Sequence, residues 1–101
     1  MVQEHRERTY IRKDIIMRLT EHGELNQTKL LSYCGLNLSK HKQILDEMEK
    51  AGIISCIHEP WGSKTVVKYM VTEKGRQVYD MILEPYEKLF PRNKSDEEEH
   101  S

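Results

Sequence analysis

Only four residues, Gly35-Leu36-Asn37-Leu38, separate two stretches with helical spacing, and this limits the available folds more than any other feature. Before the linker, Asn26 is suited to capping a helix that buries Leu30, Leu31 and Cys34 and closes at Gly35. After it, the Ser39 hydroxyl can cap a helix whose apolar stripe is Ile44, Leu45 and Met48 and whose stop is Ala51-Gly52. Helices joined so tightly must cross steeply. The second is then pushed outward, with its first turns offered to a partner.

The flanking segments complete the pattern. A first amphipathic helix is expected after Thr9 as N-cap, with Ile11, Ile15, Ile16 and Leu19 on one face and Gly23 as its end, residues 2–8 either extending it or fraying. From residue 53 the spacing changes. Residues 53–58 and 65–71 are rich in β-branched and aromatic side chains and read as two strands. Between them, Glu59-Pro60-Trp61-Gly62-Ser63-Lys64 reads as a six-residue hairpin tip, since Pro60 cannot donate to a ladder and Gly62 tolerates positive φ. Thr72 then caps a fourth helix, along which Val78, Tyr79, Ile82, Leu83, Tyr86, Leu89 and Phe90 recur at three- and four-residue spacing. Pro85 should kink or restart it at Glu84, and Pro91 should end it.

A chain of 101 residues holds one such domain. Its expected limits are residues 9–90, preceded by an extension at 1–8 and followed by a tail at 91–101, where Asp96-Glu97-Glu98-Glu99 has the composition of a disordered segment. With 33% charged residues and a mean hydropathy of −0.77, the chain reads as soluble. No apolar run approaches the ~18 residues of a membrane span, and residues 1–6 lack an apolar leader, so a cytoplasmic location is expected. Cys34 and Cys56 form no Cys-x-x-Cys pair, so no disulfide framework, metal site or cofactor is expected. The net charge of −1 excludes the blanket positive charge of a histone-like protein.

Three strings carry a family resemblance. Residues 45–54, Leu-Asp-Glu-Met-Glu-Lys-Ala-Gly-Ile-Ile, look like the end of a recognition helix running into a wing strand. Residues 69–75, Tyr-Met-Val-Thr-Glu-Lys-Gly, resemble the junction that follows the wing, and residues 28–36 are similar to the helix before the turn. Together with the element order, they make the chain resemble the small single-domain winged helix-turn-helix DNA-binding proteins of archaea, with MarR- and PadR-type regulators more distant. The resemblance implies an α+β, mainly α fold with a three-helix core, a β-hairpin wing and a C-terminal helix. It also implies binding to double-stranded DNA in transcription regulation or chromosome binding, as a homodimer through the terminal helix.

On that expectation, the candidate contacts follow from groove chemistry. Ser39, Lys40, Lys42 and Gln43 occupy the first two turns of helix three. Lysine suits guanine acceptors or phosphate, glutamine suits adenine, and a hydroxyl at a helix N-terminus suits phosphate. His41 faces either inward as a packed or capping residue or outward as a base reader. Asp46, Glu47 and Glu49 would repel phosphate, so docking should be end-on. At the hairpin, Ser63 and Lys64 can bind phosphate, whereas Trp61 either contacts a partner or folds back as a lid. Arg12, Lys13 and Lys29 are flanking cations whose simplest role is a solvated surface charge. In helix four, Val78, Ile82, Tyr86, Leu89 and Phe90 are candidates for a homodimer interface, while Tyr79 and Leu83 can serve the monomer's own core.

An enzyme is not expected, because the chain has no Gly-rich phosphate loop, no His-Glu-x-x-His and no nucleophile motif. The stronger rival is a winged helix that recognises protein. Near-zero charge, Trp61 and a wide apolar helix four would suit that role as well.

Overall fold

The computed structural model describes residues 7–92. In chain order the elements are α1 (Arg8–His22), β1 (Leu25–Asn26), α2 (Gln27–Cys34), α3 (Leu38–Lys50), β2 (Ile54–Trp61), β3 (Lys64–Val71), α4 (Glu73–Val78), a π-helical segment (Tyr79–Leu83) and α5 (Glu84–Leu89). The three strands form one antiparallel sheet in the order β1-β3-β2. This is the expected α+β, mainly helical architecture. The acidic run at 96–99 and the first six residues lie outside the described residues.

The apolar stripes meet in a single core. Ile15, Leu19, Leu30, Leu45, Met48, Ile54 and Tyr69 lose nearly all their exposure where α1, α2 and α3 pack against the sheet. Each such aliphatic side chain contributes about 1.5–3 kcal/mol by leaving water. Their spacing was visible in the sequence, and the helices they define are present.

Several local expectations need correction. α1 starts at Arg8 with Glu7 as N-cap, and Thr9 lies within its first turn. The cause is tertiary, because the Tyr86 hydroxyl donates to the Glu7 carboxylate at 2.9 Å and anchors the helix start to α5. α3 is capped by Asn37, whose side-chain oxygen accepts from the Lys40 N–H at 2.9 Å. Ser39 instead donates its hydroxyl to that same Asn37 oxygen at 3.1 Å. Capping of α2 by Asn26 is as expected, with the Lys29 N–H donating at 2.8 Å.

The hairpin is also tighter than expected. Strand pairing runs to Trp61 opposite Lys64, so the turn is only Gly62-Ser63, with Gly62 at φ 66°. Pro60 sits within β2 opposite Thr65. β2 is an edge strand, where a residue lacking an N–H is tolerated, so Pro60 does not force the wide loop that its presence implied. The two-residue strand β1 was not foreseen. It pairs Leu25 with Tyr69 and Asn26 with Lys68, a register set by partners more than forty residues away.

Two of the strings that carried the family resemblance touch one another. Thr72 donates its hydroxyl to the Gly52 carbonyl at 2.6 Å and accepts from the Gly75 N–H at 3.0 Å, while Lys74 reaches the Ala51 carbonyl at 2.7 Å. Gly75 is buried so close to the Ile53 carbonyl that any side chain there would collide with it. The end of α3 is thereby fastened to the start of α4. Farther on, the helix restarts at Glu84 with Pro85 in its first turn, as expected, and the widened π turn before it spares the proline ring a clash with the preceding turn.

A buried ionic seam holds the C-terminal run against α1. Arg92 donates to both Asp14 carboxylate oxygens, at 2.6 and 3.0 Å, and lies 2.7 Å from Glu87. Lys13 reaches Glu87 at 2.8 Å, and the Tyr10 hydroxyl donates to the Phe90 carbonyl. The Arg92 guanidinium stacks 5.1 Å from the Tyr10 ring centre. Burial alone would lower the Arg92 pKa, but hydrogen bonds and charge from Asp14 and Glu87 raise it above its ordinary value.

Candidate nucleic-acid interface

The leading end of α3 stands clear of the domain. Ser39, Lys40, Lys42 and Gln43 are all exposed, while Ile44, Leu45 and Met48 are turned into the core. The Asn37 cap draws in the Ser39 hydroxyl, while Lys40, Lys42 and Gln43 stay exposed on the first two turns. His41 is half-buried, and its Nδ1 lies 3.1 Å from the Asn37 N–H and 3.0 Å from the Asn37 carbonyl. Its ring therefore folds back on the cap, which matches the capping alternative.

Two of the three acidic residues of the later turns, Asp46 and Glu47, are paired. Lys42 reaches Asp46 at 3.0 Å, Gln43 donates to Glu47 at 3.2 Å, and Arg12 and Arg8 approach Glu47 at 3.4 and 3.9 Å. The bond to Asp46 and its charge raise the Lys42 pKa, so the amine stays protonated. These pairs offset much of the negative potential that would repel phosphate. No ion-pair partner of Lys40 is found among the described residues.

The wing supplies a second set. β1 pairs only with Tyr69 and Lys68, so the four residue pairs from His58–Val67 to Trp61–Lys64 project beyond the third strand, by roughly 13 Å at ordinary strand rise. Lys68 is bound to Glu59 at 2.8 Å and Glu24 at 3.5 Å, whereas Lys64 and Ser63 are exposed at the tip. Trp61 is 71% exposed, so it is not a lid folded on the hairpin.

The flanking cations divide. Lys29 is exposed at the start of α2, and Arg12 faces α3 through Glu47. Lys13 is turned to α5, where it is engaged by Glu87 and lies over the Tyr79 ring. β1 also sets the start of α2 beside the wing, so that Asn26, Gln27 and Thr28 line a polar groove with Thr65, Val66 and Val67. Sequence reading missed this neighbourhood because a two-residue strand has no periodicity.

The candidate dimer residues divide as well. Val78 and Tyr79 pack on the domain's own core and Leu83 is buried in it. Tyr86 is half-buried against Tyr10 and Phe90. Ile82, Leu89 and Phe90 stay exposed, at 57%, 74% and 58%, joined by Met81 at 74%. Among the described residues there is no cluster of His, Cys, Asp and Glu fit for a metal, and no helix long and apolar enough to cross a membrane.

Comparison with known proteins bears on the fold. No curated protein is detectably similar in sequence. A solved structure, that of NadR in complex with 4-hydroxyphenylacetate, is 26% identical and superposes with a TM-score of 0.63 over 77% of this chain. The match covers 55% of NadR, so this chain spans little more than half of that protein's length. A family model described as winged helix-turn-helix matches residues 5–89, which take in α1 through α5 and the wing. The chain belongs to the winged helix-turn-helix family.

Proposed function

We propose that the protein is a DNA-binding transcription regulator or chromosomal DNA-binding protein that acts in the cytoplasm without a cofactor or catalytic residue. In this reading the leading end of α3 enters the major groove and the wing lies on the backbone or minor groove. The observation that carries it is the outward-facing set Ser39, Lys40, Lys42 and Gln43 on a capped helix end, beside a projecting wing with Ser63, Lys64 and Trp61 at its tip. Gln43 pairs with adenine, Lys40 and Lys42 meet guanine acceptors or phosphate, and Ser39, Ser63 and Lys64 hold the backbone.

The reading includes a homodimer. Met81, Ile82, Leu89 and Phe90 leave an apolar surface on the C-terminal run that a second copy would cover, and two α3 ends would then read half-sites about one DNA turn, ~34 Å, apart. Val78 and Tyr86 would support this surface from beneath.

The decisive measurement is fluorescence anisotropy with a mixed-sequence duplex across a salt series. Affinity should fall steeply from low to physiological salt as counterions are recaptured by the phosphates. Binding that is absent or indifferent to salt would instead favour a protein-recognition module. Sedimentation of Leu89→Glu beside the parent at micromolar concentration should show the variant's mass halved. An unchanged mass would remove α5 from the interface.

A further inference from the structure

We propose that Trp61 is an apolar wedge that enters the minor groove and partly unstacks a base step, bending the duplex. This inference rests on the DNA-binding reading and specifies what the wing does there.

Three observations carry it. First, the ring is presented rather than stored: Trp61 is 71% exposed, at the end of the ribbon that projects beyond β1. Its neighbours Pro60, Gly62, Ser63 and Lys64 are exposed too, so nothing beside it offers the ring a pocket. Second, the backbone that carries the ring is fixed. The Trp61–Lys64 pair closes a two-residue turn, so the position from which the ring leaves the ribbon is set by strand pairing. Third, the surrounding charge suits a polyanion. Glu59, the acid nearest the tip on β2, is drawn to Lys68, which it shares with Glu24, whereas Lys64 lies across from Trp61, exposed at the tip.

Strand alternation sets the direction of approach. Cys56 lies opposite the buried Tyr69, so Cys56, His58 and Pro60 share the face toward the core. Ile57, Glu59 and Trp61 share the other face, with Lys64 opposite Trp61. Ring and ammonium thus leave the tip on one side: the ammonium can hold a backbone phosphate while the ring enters the groove. An apolar wedge of this kind kinks DNA by tens of degrees and works best at pyrimidine–purine steps, which unstack most easily. The wing would then prefer flexible sites without a hydrogen bond to any base.

Trp61 is the chain's only tryptophan, so its emission reports the event directly. Two duplexes of about two turns serve as probes, one with central TpA steps and one with a stiff A-tract, each labelled at both ends for energy transfer. With the TpA duplex, Trp61 emission should be quenched and shielded from acrylamide, and the duplex ends should approach. Trp61→Ala should bind about tenfold more weakly and leave the duplex straight, while Trp61→Phe should retain most of the bend. Salt-dependent binding with Trp61 emission and acrylamide access unchanged would overturn the wedge and leave the DNA-binding reading intact. Failure of the parent to bind either duplex would overturn both.

Discussion

The seam between α1 and the C-terminal run and the tip of the wing both combine aromatic rings with cations, yet they use them in opposite ways. In the seam, Arg92, Asp14, Glu87 and Lys13 are mostly buried and matched to one another, and the rings of Tyr10 and Tyr79 lie under cations. At the tip, Trp61 and Lys64 face solvent. A charge that is desolvated and paired already has its counter-ion, and moving it has a large cost. A charge left in water on a stiff support holds its interaction in reserve for a partner. The seam therefore reads as the part that fixes the C-terminal run, and the tip as the part that binds.

The sharpest way to break this contrast is Arg92→Ala. Removing the guanidinium takes a two-pronged hydrogen-bond partner from the buried Asp14 carboxylate and a contact from Glu87, which should lower stability by about 3 kcal/mol in urea unfolding. A loss below about 1 kcal/mol would place the seam with ordinary surface pairs. Gln43→Ala and Lys64→Ala should leave stability within about 0.5 kcal/mol and change only binding. Gln43→Ala should reduce discrimination between sequences by about 1–3 kcal/mol, whereas Lys64→Ala should weaken all sequences alike and reduce the salt slope by about one. Identical behaviour of the two variants on preferred and random duplexes would show that α3 and the wing do not divide the work.

The smallest expected effect is on pH dependence. Burial would raise the Glu87 pKa, but the bonds from Lys13 and Arg92 outweigh it, so it lies below its ordinary value of 4.5. A carboxylate of lowered pKa stabilises the fold fully above that ordinary value, and its contribution is lost as pH falls through the folded-state pKa. The urea midpoint of the parent should thus decline more steeply below about pH 4.5 than that of Glu87→Gln. Parallel curves would mean that another carboxylate controls acid unfolding.

How much of this was legible in sequence differs from element to element. The stripes of α1, α2 and α3, the two long strands and the restart at Pro85 are local patterns, and each was readable from a window of ten residues or so. The exposed first turns of α3 followed from the same stripe, because Ile44, Leu45 and Met48 fix which way Lys40 and Gln43 point. Asn26 and Thr72 cap their helices as expected, but the caps of α1 and α3 were each misread by two residues; Asn37 and Ser39 are both good caps, and only the folded backbone distinguishes them. The loop length was misread because Pro60 acts as a breaker in a central strand but not in an edge strand, and a single sequence does not state which strand is the edge.

The sequence by itself determined the order of elements, the apolar faces and the residue types offered at the end of α3, because these depend on spacing and side-chain chemistry within a few turns. The tertiary structure alone decided that Trp61 is presented rather than folded back, that Lys13 and Arg92 belong to the seam, and that β1 joins the sheet. Each of these depends on which distant residue arrives to bury, pair with or leave uncovered the group in question, and the free energy of that meeting is absent from any local window.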